Sequence, residues 1–186
     1  MMPLKQGRLD NLCGLYAIIN ALDLVGLEGP RRPLHGELFR RLIRAIPADE
    51  LADAVNHGLE PYQIMAAGSR TFRWLKREHG TSLMIDQPLA DHEFESVDEC
   101  INGLRVLSSA PLTALIISID MPGAGHWTVV RSIKGDHARV RDSTTLKILD
   151  LTRFGLKGGG YRLRPSETLI IRRQLRHRRP PRIKPR

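Results

Sequence analysis

The sequence predicts an α+β fold, and three observations carry that expectation. Apolar residues recur at helical spacing through most of the first 110 positions, short Ile- and Val-rich runs follow after Pro111, and 186 residues with 41% hydrophobic and 26% charged content suit one ordinary domain with an appendage. Asp10 precedes Leu12, Leu15, Tyr16, Ile19 and Leu22, the spacing of a helix buried on one face that ends near Gly26 and Gly29. A second helical pattern runs from about 34 to 46, a third begins near Ala48, and residues 61–79 read as a longer fourth, weakened by Gly68 and Ser69. Ser96 and Glu99 have capping-box spacing ahead of one more helix that carries Cys100, Ile101, Leu104 and Leu107. LTALIISID, HWTVVRSI and HARVRDS then read as strands; the turns between them, MPGAG and Lys134-Gly135-Asp136, imply an antiparallel meander over residues 112–142. LKILDL and ETLIIRR offer one or two further strands.

The net charge of +9 suggests nucleic acid until it is located. Arg172 to Arg186, RRQLRHRRPPRIKPR, holds eight Lys or Arg and no acid, which leaves 21 bases against 20 acids in the remainder. The sequence therefore divides into a nearly neutral domain, 1–171, and a basic tail, 172–186, whose like charges and three prolines oppose compact structure. The tail suits nonspecific contact with nucleic acid or another anionic partner; without interleaved aromatics it does not suit base stacking. No run approaches the ~18 apolar residues of a membrane span, and MMPLKQGRLD lacks a signal-peptide pattern, so a cytoplasmic protein without a transmembrane segment is expected. Two cysteines are too few for a disulfide scaffold and fit a reducing compartment.

Cys13 falls near the start of the first helix. With Asp10 as cap it is about the third helical residue, beside unpaired N–H groups and the positive end of the helix dipole. A helix N-terminus and a nearby imidazolium lower a cysteine pKa from ~8.5 to between ~3.5 and ~7.5, which favours a nucleophilic thiolate. Gly14 beside it leaves room for a substrate to approach the backbone. A lone cysteine on a core helix is more often a small buried hydrophobe. What lifts Cys13 above that reading is Gly125-His126-Trp127, a histidine opening a β-strand, where a rigid strand packed on the first helix would hold a general base. Trp127 either shields the pair from water or fills a half-buried strand position. Asp142, sixteen residues after His126, ends the next strand, where a hairpin sets it beside the ring to accept the Nδ1 hydrogen bond; in isolation it would sooner start the turn Asp142-Ser143-Thr144. Gln6 carries an amide that suits donation to a developing oxyanion together with the N–H of Cys13.

Gln6, DNLCGLYAIINAL from Asp10 to Leu22, GHWTVV from Gly125 to Val130 and RDST from Arg141 to Thr144 together resemble the papain-like cysteine peptidase superfamily. Within it the chain most resembles the bacterial peptidases that process double-glycine leader peptides, and their free-standing relatives. The stretch from about 28 to 110 has no counterpart in the resemblance. The resemblance implies a papain-like fold, with an N-terminal Cys-bearing helix packed on a C-terminal antiparallel sheet and additional helices between. It implies Cys13 as nucleophile, His126 as base and then acid, Asp142 as orienting residue and Gln6 as oxyanion donor. The implied activity is hydrolysis or acyl transfer at a peptide or isopeptide bond of a peptide or protein substrate, through a thioester and with no metal or organic cofactor. Relatives with this triad include glutamine deamidases and transglutaminases, which stand as alternatives. So does a catalytically silent papain-like module that binds nucleic acid or another polyanion through residues 172–186.

Other residues carry blander expectations. Cys100 is expected in the core, Asp91-His92-Glu93 in a solvated loop, Gly158-Gly159-Gly160 in a flexible turn, and Arg40, Arg41 and Arg44 on a solvated helix face.

Overall fold

A computed structural model describes residues 3, 5, 6, 10–27 and 32–174, with backbone alone at positions 32 and 33. The chain forms α1 (Cys13–Leu24), α2 (Arg32–Arg44), α3 (Ala48–His57), α4 (Pro61–His79), β1 (Ser82–Asp86) and α5 (Val97–Ser109). It continues through β2 (Thr113–Met121), β3 (Ala124–Lys134), β4 (His137–Arg141), β5 (Ile148–Asp150), a 3-10 turn at Leu151–Arg153 and β6 (Arg162–Gln174). Five helices and one open, antiparallel sheet in the order β1-β6-β2-β3-β4-β5 make the fold α+β.

The sheet is covered on both faces, and its central strands show why. In β2, Ala114 and Ile116 join a core with α1, α2 and α4, while Leu115, Ile117 and Ile119 join a second core with α5. A strand buried on both sides reads as a continuous apolar run, as LTALIISID does. In β6, Leu169 and Ile171 serve the first core and Ile170 the second. The helix α1 departs from the expectation of one buried face. Every residue from Cys13 to Leu22 except Tyr16 is buried, because the sheet lies along one side and α2 and α4 along the others. Gly68, which weakens α4 by propensity, sits at a tight approach: a β-carbon there would lie 3.3 Å from Ile85 of β1 and 3.5 Å from Ile18 of α1. Ser96 caps α5 through Glu99 N at 3.1 Å, but the Glu99 carboxylate accepts from Glu95 N, so only half of the capping box forms.

Three further departures have physical causes. The strand β1 lies outside the meander expected from sequence; its five residues find their partner only in β6, at the far end of the sequence. The β6 strand runs on to Gln174, so Arg172–Gln174 pair with Met84–Ser82, while residues 175–186, on which the expectation of a mobile tail mostly falls, lie outside the described residues. Arg41 is not simply solvated, since its guanidinium stacks 3.9 Å above the Trp74 ring and pairs with Glu37, whereas Arg40 and Arg44 are exposed. Among the described residues no helix is long and apolar enough to cross a membrane.

Candidate active site

Local sequence places the loop that leads into Cys13. Asp10 does not cap α1 as expected; its carboxylate accepts from Leu12 N at 3.1 Å and shapes the turn before the helix, so Leu12 takes the cap position and Cys13 opens the helix. The first bonds into the helix run from Leu15 N and Tyr16 N to Leu12 O. The N–H groups of Cys13 and Gly14 therefore have no partner among the described residues, which puts two free donors at the sulfur. Gly14 is not spare room for substrate, because a β-carbon there would meet Ile64 of α4 at 2.5 Å.

His126 enters from β3, where Ile119 of β2 is its cross-strand partner. Asp142 follows β4 directly and is 1% exposed. The two meet at 2.7 Å, His126 Nε2 to Asp142 Oδ2. This corrects the expectation that Nδ1 would face the carboxylate: Nε2 is engaged by Asp142, which leaves Nδ1 for Cys13, whose side chain lies close enough to raise the ring's pKa while its Sγ–H is directed at Asn11 O at 3.8 Å. The other Asp142 oxygen accepts from Thr144 N at 2.7 Å and Thr144 Oγ1 at 2.5 Å.

Burial alone would make His126 neutral, but hydrogen bonds to Asp142 and Cys13 and the charges of both push its pKa up to about 10. Burial likewise opposes the Asp142 charge, and the His126 contact together with the Thr144 hydrogen bond holds the carboxyl below its ordinary range. Cys100 makes the contrast, fully buried on the core side of α5 with its thiol pushed up to about 11 by desolvation and the nearby Glu99 charge.

Gln6 does not stand at the cleft. Its side-chain amide donates to Asp10 O, its backbone N–H donates to Ser143 O at 2.8 Å, and Ser143 Oγ donates to Gln6 Oε1 at 3.3 Å. It thus ties the turn after Asp142 to the segment leading into Cys13, and it is absent from the residues lining the cleft.

Cys13 and His126 lie in a cleft of about 450 Å³, within the ~300–1,000 Å³ range of small-ligand sites. One part of its lining is Asn56–Glu60, from the last turn of α3 to the residue before α4; others are the β2–β3 hairpin at Gly123–Gly125 and, from β6, Arg164 and Glu167. The β6 residues reach the cleft because their register with β2 slips. Leu169 faces Ile116 while Arg164 faces Ser118, and the extra residues between them bulge. Two residues adjoining the Cys-His pair fasten the Asn56–Glu60 stretch. Asn11 donates to Val55 O at 3.2 Å and Asn56 O at 2.6 Å, and Trp127 Nε1 donates to Leu59 O at 3.1 Å. In the sequence Trp127 reads only as a shield or filler and Asn11 passes unnoticed, since both jobs depend on carbonyls some 44 to 68 positions away.

No cluster of three or more metal-ligating side chains occurs among the described residues, and Asp91, His92 and Glu93 are exposed. Searches against protein-family models, curated proteins and solved structures return no match for this chain.

Proposed function

We propose that this chain is a papain-like cysteine hydrolase or acyl transferase acting on a peptide or isopeptide bond. The observation carrying the reading is the Cys13–His126–Asp142 cluster, with Asp142 on Nε2 of His126 and Cys13 beside the same ring at an open cleft. Support for the papain-like assignment comes from a helix that opens with Cys13 and packs on an antiparallel sheet carrying His126 and Asp142. Glycines at two parts of the cleft lining, Gly58 and Gly123, leave main chain uncovered there, which suits an extended peptide.

In this reading Cys13 Sγ, its proton held on His126, attacks the carbonyl carbon of the substrate. The carbonyl oxygen gains its negative charge at the N-terminus of α1, where the Cys13 and Gly14 N–H groups donate to it. The tetrahedral intermediate collapses, the C–N bond breaks as His126 gives its proton to the leaving amine, and a thioester stays on Cys13. Water then attacks the thioester while neutral His126 takes its proton, and the thiolate leaves; an acceptor amine in place of water completes acyl transfer. Asp142 moves no proton and holds the ring in orientation. A glutamine side chain as substrate would release ammonia by the same steps, which makes deamidation a variant of this chemistry. Two free thiols accord with a reducing compartment such as the cytoplasm.

Incubation with p-nitrophenyl acetate, an activated ester open to any thiolate nucleophile, tests the reading whatever the natural substrate is. Nitrophenolate release with a transient acetyl group mapped to Cys13 is expected, with Cys13→Ala inactive and His126→Ala slower by roughly 10²–10⁴-fold. Release that persists unchanged in Cys13→Ala contradicts it.

A further inference from the structure

A second cavity, of about 510 Å³, is bordered by the Asp142–Thr144 turn but not by Cys13 or His126. We propose that this cavity binds a small soluble phosphorylated ligand. Four cationic side chains line it: Lys5 before α1, Arg131 on β3, Arg141 at the end of β4 and Lys147 before β5. Arg141 is paired with Asp23 of α1. Lys5, Arg131 and Lys147 make no salt bridge with any carboxylate among the described residues. The one acid on the walls, Asp142, already spends both oxygens on His126 and Thr144.

Three exposed cations gathered around one partly enclosed space repel one another, a repulsion that a bound anion relieves. The sum of charges in residues 1–171 is close to neutral, so this concentration is a local arrangement and not a reflection of overall basicity. A phosphoryl group answers it with a charge of about −1.5 to −2 and three acceptor oxygens. Arg131 supplies a two-pronged donor, Lys5 and Lys147 supply point charges, and Thr145 adds a hydroxyl. The volume takes a small phosphate ester, and the site is separate from the basic segment 172–186. An occupant would also rest on the turn that holds Asp142, which joins this cavity to the catalytic cluster.

Calorimetric titration of the full chain with inorganic pyrophosphate tests the proposal. Saturable binding is expected, weakened roughly tenfold or more in Arg131→Glu and in Lys147→Glu, and unchanged in Lys134→Glu, an exposed lysine on the same strand outside the cavity. All four proteins carry the same tail, so its contribution is common to them. Cys13→Ala is expected to bind as the parent does, which keeps this result independent of the proposed hydrolase activity. The exposed side chains at 131 and 147 are not part of either core, and Arg131→Gln and Lys147→Gln give milder versions should a charge reversal fail to fold. Equal affinity in all variants, no saturable binding, or binding only to phosphatidylcholine vesicles carrying phosphatidic acid would overturn it.

Discussion

Two opposing effects act on the His126 ring: burial favours the neutral form, while Asp142 and Cys13 favour the imidazolium and prevail, holding the pKa at about 10. That value exceeds the unfolded ~6.5, so the stabilisation from His126 is complete below ~6.5 and is lost as pH rises through about 10. Asp142 is shifted the other way, and its contribution, present above ~3.9, is lost as pH falls through its lowered folded value. A proton NMR titration should therefore show no His126 transition between about pH 6 and about pH 8, and Asp142→Asn should bring the transition back toward ~6.5. A His126 midpoint near ~6.5 in the parent protein contradicts the geometry. Cys13, His126 and Asp142 were legible because each sits in a recognisable local setting: a helix start, a strand start and a strand end. The position of Gln6 was not legible, since it depends on Ser143 O and Asp10 O, partners that no local pattern announces. The choice of Nε2 for Asp142 is equally a matter of three-dimensional approach.

At the scale of elements, close approach of neighbouring elements accounts for Gly68, against β1 and α1, and for Gly14, against α4. Gly14→Ala would press a methyl group against Ile64, and should cost about 1–3 kcal/mol in denaturant titration, with part of the loss recovered in Gly14→Ala/Ile64→Val. A cost unrelieved by the second change would mean that α1 and α4 do not pack this way. The helices were readable from their apolar spacing and from Pro61 and Ser96 at their starts; β1 was not, because five residues between two helices show no period until β6 supplies the ladder. The cleft wall at residues 56–60 should likewise depend on its two fastenings. Trp127→Phe keeps a ring in the core but loses the bond to Leu59 O, about 1 kcal/mol, and hydrogen exchange should quicken across residues 56–60 while the sheet stays protected.

Across the whole molecule, α1 is anchored at both ends by neighbouring residues of one strand terminus. Cys13 at its start meets the His126–Asp142 pair, and Asp23 at its end pairs with Arg141, with His35 of α2 3.1 Å from the same carboxylate. Asp23 and Arg141 have side chains only 7% and 9% exposed, so Asp23→Ala should cost about 1–3 kcal/mol in unfolding free energy through loss of the charge-assisted bonds to Arg141 and His35; no measurable loss would show that the pair is not shielded. The layered α+β arrangement was legible from the order of helical and strand patterns, whereas the cleft was not, because its walls come from four separate parts of the sequence. The central claim is that Cys13 and His126 act as one unit, and iodoacetamide labelling with peptide mapping measures that most directly. Cys13, at the open cleft, should be modified well ahead of the buried Cys100, and His126→Ala should slow the Cys13 reaction sharply while leaving Cys100 as it was. Equal labelling of the two cysteines, unaffected by His126→Ala, would contradict the account.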